Sequence, residues 1–450
     1  RLAEQVDRLA HHALQGGLWD KAVLLFRKAG AKAAGRSAYR EAATCFEQAL
    51  LALDRLPEGR GRSEQAVDLR FDLHNALIPV GEVGRMLGTL EEAEQVATAL
   101  GDQRRLGQVA AYMTQCYWWT GKPERAVESG QRAIAIAQTL GDRALEALAT
   151  QRLGQAYASL GEYRRAVEAF GRQLARGEAE PSRERPGAAG LRSAANRAWM
   201  AWCLASLGDF AESGAHAEEA VRLAEAAQHD LSLAMTYSGA GRPHLIQGDF
   251  PTAISWLTRS AEICRRANFA PLFFLVACDL GQAYALSGRV SEGVALLEEA
   301  AAQSAAMRLM PTHAWNVTML AEAYLLAGRR EDAARDVQRG LAMARAHKQR
   351  WLEAEGLRIL GEILASAERP DMEAARADFE EAARIARDLD LRPLLGRCLL
   401  ASGRLARRAG DGGAREYLSQ AAALFGEMGM RFWLERAEAE MRTLDGASKP

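Results

Sequence analysis

Glycine recurs every forty residues down this chain, at Gly81, Gly121 and Gly161 and then, after a slip of seven residues, at Gly208, Gly248, Gly288 and Gly328. Internal repetition at such a period marks a stacked solenoid, in which each repeat packs against its neighbours. A second ladder runs out of phase, because Leu100-Gly101-Asp102 and Leu140-Gly141-Asp142 each lie twenty residues past the preceding glycine. Each repeat therefore holds two turns and two segments. The segments are about seventeen residues long, and Ala144, Leu145, Leu148, Leu153, Ala156 and Tyr157 show their apolar residues three and four apart, the spacing of an amphipathic helix. The expected class is all-α.

The cleanest copy reads Leu153-Gly154, Tyr157, Gly161, Ala166 and Phe170, and it resembles a tetratricopeptide repeat. In that motif a small residue lets the first helix approach its partner, an aromatic fills the space between them, and a glycine ends the helix in a left-handed cap. Gly281, Tyr284 and Gly288 repeat the pattern; Gly241, Gly248 and Ala253 repeat part of it, as do Tyr324, Gly328 and Ala333, and Gly403 with Gly410 closes the series. The resemblance implies a right-handed superhelical solenoid of helical hairpins. Its usual period is about 34 residues, and roughly one extra turn of 3.6 residues per helix brings it to about forty.

A solenoid grows by addition, so 450 residues need no division into globular domains, and one continuous array is expected. Apolar residues make up 49% and charged residues 26%, and no stretch approaches the roughly 18 uncharged apolar residues of a membrane helix. The net charge of −1 argues against nucleic acid as partner. Cys45, Cys116, Cys203, Cys264, Cys278 and Cys398 form neither a CxxC pair nor a metal-ligand spacing, which suits a reducing, cytoplasmic location. The chain opens at Arg1 inside a helical pattern, as expected of a domain cut from something longer. Arginine outnumbers lysine by 51 to 6, which hints at a GC-rich bacterial genome.

Residues 1–56 lack the forty-residue period, but Gly17, Ala22, Phe26 and Ala29 are echoed by Ser37, Ala42, Phe46 and Ala49, so tightly spaced repeat-like helices are expected there. A polar break at Pro57-Glu58-Gly59-Arg60-Gly61 precedes a helix expected to start near Ser63 as its N-cap. Repeats then fill 63–176 and 191–430. Between them the prolines and glycines of Arg176 to Gly190 predict a flexible, protease-sensitive insertion over 177–190. A lengthened turn falls at Glu368-Arg369-Pro370-Asp371, and a capping helix near 431–444 precedes a frayed tail ending at 450.

At the N-terminus, Leu9-Ala10-His11-His12-Ala13, Gly17, Trp19-Asp20-Lys21-Ala22, Ala29-Gly30 and Glu47-Gln48-Ala49-Leu50 appear in order, and Tyr284 to Val290 adds a long run of the same kind. The chain resembles the tetratricopeptide tail of bacterial signalling proteins that join a class III adenylate or guanylate cyclase to a STAND-type ATPase. The resemblance implies a part that senses or binds a partner while catalysis lies upstream.

Catalytic, cofactor-binding and metal-ligating residues are not expected, since no phosphate-binding GxxxxGK[ST] loop, HExxH or GxSxG occurs. His11 and His12 point about 100° apart on a helix, which suits neither to a shared metal. Glu91-Glu92 and Glu298-Glu299 read as solvated helix faces. The clamp that such repeats use on chaperone tails needs lysine and asparagine where this chain has Gln151, Gln155, Ala111 and Gln115.

Taking Gly154 and its equivalents as reference, the inward face of the first helices carries Tyr112, Gln115, Trp119, Arg152, Gln155, Trp199, Trp202, Arg242, Asp279, Gln282, Trp315 and Glu322. These are the candidate partner-binding groove. A peptide, a protein or another part of the parent chain would bind an open groove. A small-molecule effector would need a closed aromatic and polar pocket. An enzyme is disfavoured by the missing constellations. Trp199 and Trp202 are expected to line the groove, so that replacing both with alanine would spare stability and weaken binding; packing between helices is the alternative.

Overall fold

The computed structural model describes residues 6–179 and 188–447. Within them the chain forms 22 α-helices and no strand, an all-α helical repeat fold. All seven ladder glycines hold a positive φ, from 72° at Gly121 to 97° at Gly208, a conformation that disfavours a Cβ. After every one of these glycines but Gly81 the next residue reaches back to close the helix, as Glu162 N–H does to the Tyr157 carbonyl at 3.0 Å and Asp249 N–H to that of His244 at 2.8 Å. The second ladder continues without glycine. Gln228, Asn268, Arg308, Lys348 and Asp390 all sit at φ between 49° and 57°, so the period persists where a reading keyed on glycine loses it.

Two compact units form. Unit 1 takes Arg1–Leu153 with Arg265–Pro271. Its helices are α1 (Val6–Gln15), α2 (Trp19–Gly35), α3 (Tyr39–Leu53), α4 (Arg60–Leu77), α5 (Val83–Leu100), α6 (Gln103–Trp119), α7 (Pro123–Leu140) and the first part of α8 (Arg143–Leu160). Gly30 lets α2 lie directly on Phe46 of α3, whose ring stands 2.6 Å from where a Cβ would sit. Farther along, Ala110, Ala111, Ala133, Ala137 and Ala149 make a thin, close-packed seam around Leu145. The break before α4 differs from expectation. Gly59 is its N-cap, and Ser63 already bonds the Gly59 carbonyl from within the first turn at 3.1 Å.

Unit 2 takes Gly154–Cys264 and Leu272–Pro450. Beyond the end of α8 come α9 (Tyr163–Ala179), α10 (Ala188–Leu207), α11 (Phe210–Ala227), α12 (Asp230–Gln247), α13 (Phe250–Ala267), α14 (Ala270–Leu286) and α15 (Val290–Ala306). These are followed by α16 (Met310–Leu326), α17 (Arg330–Ala346), α18 (Arg350–Ala365), α19 (Met372–Asp388), α20 (Arg392–Arg408), α21 (Ala414–Glu427) and α22 (Arg431–Ala447). The expected insertion narrows, because α9 reaches Ala179 and α10 begins at Ala188. Its centre, 180–187, lies outside the described residues, as do 448–450 at the end of the expected tail.

Even-numbered helices of unit 2 are the first helices of their repeats, and five of them, α8, α12, α14, α18 and α20, are pressed onto their partners at a glycine. A Cβ on Gly154, Gly241, Gly281, Gly361 or Gly403 would fall 2.9, 2.6, 2.7, 2.5 or 2.6 Å from Phe170, Leu257, Leu297, Phe379 or Leu418 respectively. The unit also meets itself across long stretches of sequence. Gly208 abuts Met428, Gly248 abuts Phe432, and the Gln247 amide donates to the Gly429 carbonyl at 3.3 Å. Contacts of this kind, between segments of unit 2 far apart in sequence, are not announced by the repeat pattern.

Candidate ligand-binding interior

Seven of the predicted inward residues come together in unit 2. Trp199 and Trp202, one turn apart on α10, stack with ring centroids 4.8 Å apart and planes at 19°. Trp202 stacks in turn on Trp315 of α16 at 5.6 Å. The Arg242 guanidinium, from α12, lies 4.5 Å from the Trp202 ring centre and 4.3 Å from that of Trp315, a cation on two indole faces. Its Nη1 donates to Asp279 Oδ1 on α14. Gln282, one turn along α14, donates its amide to Glu322 Oε2 at 2.9 Å. Gln155, on the unit 2 part of α8, is buried.

The remaining four candidates belong to unit 1. Tyr112 accepts from Asn75 and Gln108 at 3.3 Å each and lies 4.7 Å from the His74 ring. Gln115 and Trp119 are buried, and Arg152 is partly exposed. Burial pushes the enclosed His74 imidazole down to about 3, with the positive charge of Arg152 adding to the effect. His74 is therefore neutral at physiological pH.

Several site residues escaped the sequence. Glu322 Oε1 accepts from Arg358 Nη2 at 2.7 Å and from Arg397 Nη2 at 2.6 Å. Glu355 accepts from the same two arginines at 2.9 and 3.1 Å, and Glu362 takes Arg358 Nη1 at 2.9 Å. Arg358 is among the largest fully buried side chains, which its three carboxylate partners make tolerable. This charge network joins α14, α16, α18 and α20. The signal that would have revealed it is the same register: Gly361 continues the small-residue series, Glu362 follows it as Gln282 follows Gly281, and Arg358 stands one turn earlier.

Burial opposes charge on Glu322, but Arg358 and Arg397 outweigh it and hold the carboxyl well below its ordinary range. Asp279 behaves oppositely. Burial dominates there and raises its carboxyl to about 6, with Arg242 countering only in part. The ion pair of Arg242 and Asp279 is thus close in space yet weakly compensated.

Beside this layer lies a partly enclosed cavity of about 80 Å³, measured as the space open to the centre of a water molecule. Trp315, Trp351 and Trp433 line it with Arg242, Arg397 and Glu355. The Arg397 guanidinium rests 4.8 Å from the Trp433 ring centre. Among the described residues no group of three or more His, Cys, Asp or Glu side chains could hold a metal ion, and no helix is long and apolar enough to cross a membrane.

The tetratricopeptide repeat family matches this chain over residues 149–184. No curated protein sequence matches it. Among solved structures it is similar to a Rap protein complexed with competence and sporulation factor, at 14% identity and TM-score 0.59, over 83% of this chain and 99% of that one. It is also similar to the Rap conjugation gene regulator of the plasmid pLS20 in complex with a Phr peptide, at 12% identity and TM-score 0.52, over 82% and 96% of the two chains. A STAND protein with a tetratricopeptide repeat sensor from Pyrococcus horikoshii gives TM-score 0.47 at 14% identity, over 85% of this chain and 55% of that chain, too distant a likeness to build on. At these identities the first two likenesses establish the tetratricopeptide-like helical repeat fold alone.

Proposed function

We propose that this chain is a non-enzymatic interaction and sensor module of a bacterial signalling protein, whose inward helix faces bind a short peptide or a segment of protein. The observation that carries this reading is the continuous layer of Trp199, Trp202, Arg242 and Trp315 contributed by the first helices α10, α12 and α16. Large rigid aromatics contribute binding area at small entropic cost, and the amides of Gln155 and Gln282 suit an extended backbone. The Rap regulator of similar fold, which holds a Phr peptide, lends support. Following the resemblance at the N-terminal helices, the bound state would be read by an ATPase and a cyclase elsewhere in the parent chain, and the partner includes segments of that chain.

One observation favours a second reading, a small-molecule effector that regulates those upstream domains: the cavity is partly enclosed and mixes indoles with charged groups.

Selection of displayed random peptides on the purified chain, followed by titration of its tryptophan fluorescence, tests the first reading. Selected peptides should change the emission, and Trp199→Ala should weaken them. Failure to enrich any peptide on folded protein would overturn it.

A further inference from the structure

The charges around the cavity are unequally satisfied. Arg358 bonds Glu322, Glu355 and Glu362, and Arg397 bonds Glu355 and Glu322 through its two Nη atoms although its Nε is left without a partner. Arg242 has five N–H donors but among the described residues hydrogen-bonds only through Nη1, to Asp279. Among the described residues its Nε is enclosed without a partner and Nη2 makes no hydrogen bond, and Arg242 forms part of the cavity wall. That cation has one countercharge, and burial weakens it.

Size and surroundings narrow the ligand further. By the same measure a single water needs about 10–15 Å³, so about 80 Å³ holds several water-sized groups, on the order of one amino acid. Trp315, Trp351, Trp433, Leu286, Met319 and Leu394 give it an apolar wall for the body of a ligand, while Glu355 and Arg397, which also line it, are bonded to each other. A carboxylate is the acceptor that best fits a guanidinium.

We infer that this cavity binds a carboxylate carried on an apolar group of amino-acid size, with the carboxylate on Arg242 and the apolar body among Trp315, Trp351 and Trp433. The inference rests on the reading that the inward faces bind a ligand. The same chemistry is offered by the C-terminal residue of a peptide and by a free small acid.

Calorimetric titration of the full chain with N-acetyl-phenylalanine and N-acetyl-leucine, each against its amide, tests the carboxylate directly. The selected peptides are titrated alongside, with free and amidated C-termini. The acids, or the free-ended peptides, should bind about tenfold or more tightly than the amides. The preference should disappear in the double variant Arg242→Gln/Asp279→Asn, which removes both charges together and leaves no buried ion unpaired. If that variant does not fold, the comparison of acid with amide on the unaltered chain still decides. Free-ended peptides binding tightly assigns the site to a peptide C-terminus. Acids binding where no peptide does keeps the inference and overturns the peptide reading. Peptides that bind equally with either terminus, while the acids do not bind, overturn the inference and leave the peptide reading standing. Binding of neither acids nor peptides overturns both.

Discussion

The Trp351 indole donates its Nε1–H to the Ser159 carbonyl at 3.1 Å, joining α18 to the end of α8 across 192 residues of chain. Two residues past Ser159 stands Gly161, with φ of 84° and a Cβ position only 2.9 Å from Trp351 Cβ. Glycine is required there twice, once for its own conformation and once for its neighbour.

Gly161→Ala should therefore destabilise unit 2 by about 2–4 kcal/mol, adding a strained left-handed residue to a backbone-level clash. Trp351→Phe, which loses the hydrogen bond, should cost about 1–2 kcal/mol. Measured by urea unfolding, the double variant should cost less than the two together, because each change disturbs the same contact. Strict additivity would show the two are independent.

Glu322→Gln leaves two buried guanidinium groups short of a countercharge and should cost about 3–5 kcal/mol at neutral pH. The folded carboxyl lies below its unfolded value of about 4.3, toward about 2. Its stabilisation is complete above the unfolded value and is lost as pH falls through the folded one. The gap between the two proteins should stay constant from pH 8 to pH 5 and narrow below pH 4. A gap that widens on acidification would contradict the network.

For Asp279 the sign reverses. Its folded value of about 6 exceeds an unfolded value of about 3.9, so the folded state holds the proton more tightly, and that share of stability fades as pH rises between the two. Relative to Asp279→Asn, which does not titrate, the unaltered protein should lose on the order of 2–3 kcal/mol between pH 4 and pH 6.5. Denaturant midpoints at the two pH values measure it, and a difference independent of pH would refute the shift.

Trp199 and Trp202 should separate. The sequence treats them alike and expects their joint loss to spare stability, but Trp202 supports Arg242 and Trp315 as well as its neighbour. Trp202→Ala should cost about 2–4 kcal/mol and Trp199→Ala nearer 1 kcal/mol. Equal shifts in thermal midpoint would show that the stack carries no such asymmetry.

Glycines inside the helices should divide in the same way. At Gly361 an added Cβ meets the Phe379 ring at 2.5 Å, whereas at Gly214 nothing lies within 4 Å. Gly361→Ala should destabilise by about 1–3 kcal/mol, and Gly214→Ala should stabilise by about 0.4–1 kcal/mol. Melting the two variants beside the parent chain checks both signs.

The helices and the turns between them were legible in the amino-acid sequence, because each of these is local. A left-handed cap at Gly161 or Gly248 and a 3.6-residue period are written within a few residues of where they act. The same repeat spacing singled out Arg242, Asp279, Gln282, Trp315 and Glu322, and in the structure Arg242 meets Asp279 and Trp315 while Gln282 meets Glu322. Tertiary structure decided who meets whom. Nothing near Ser159 announces Trp351, and nothing near Glu322 announces Arg397, since the hydrogen bonds between them depend on how unit 2 meets itself. Asp279 and Glu322 show the same limit in their chemistry. Both are acidic residues at inward positions, yet one is driven toward neutrality by burial and the other held charged by two arginines, a difference set by neighbours that only folding supplies.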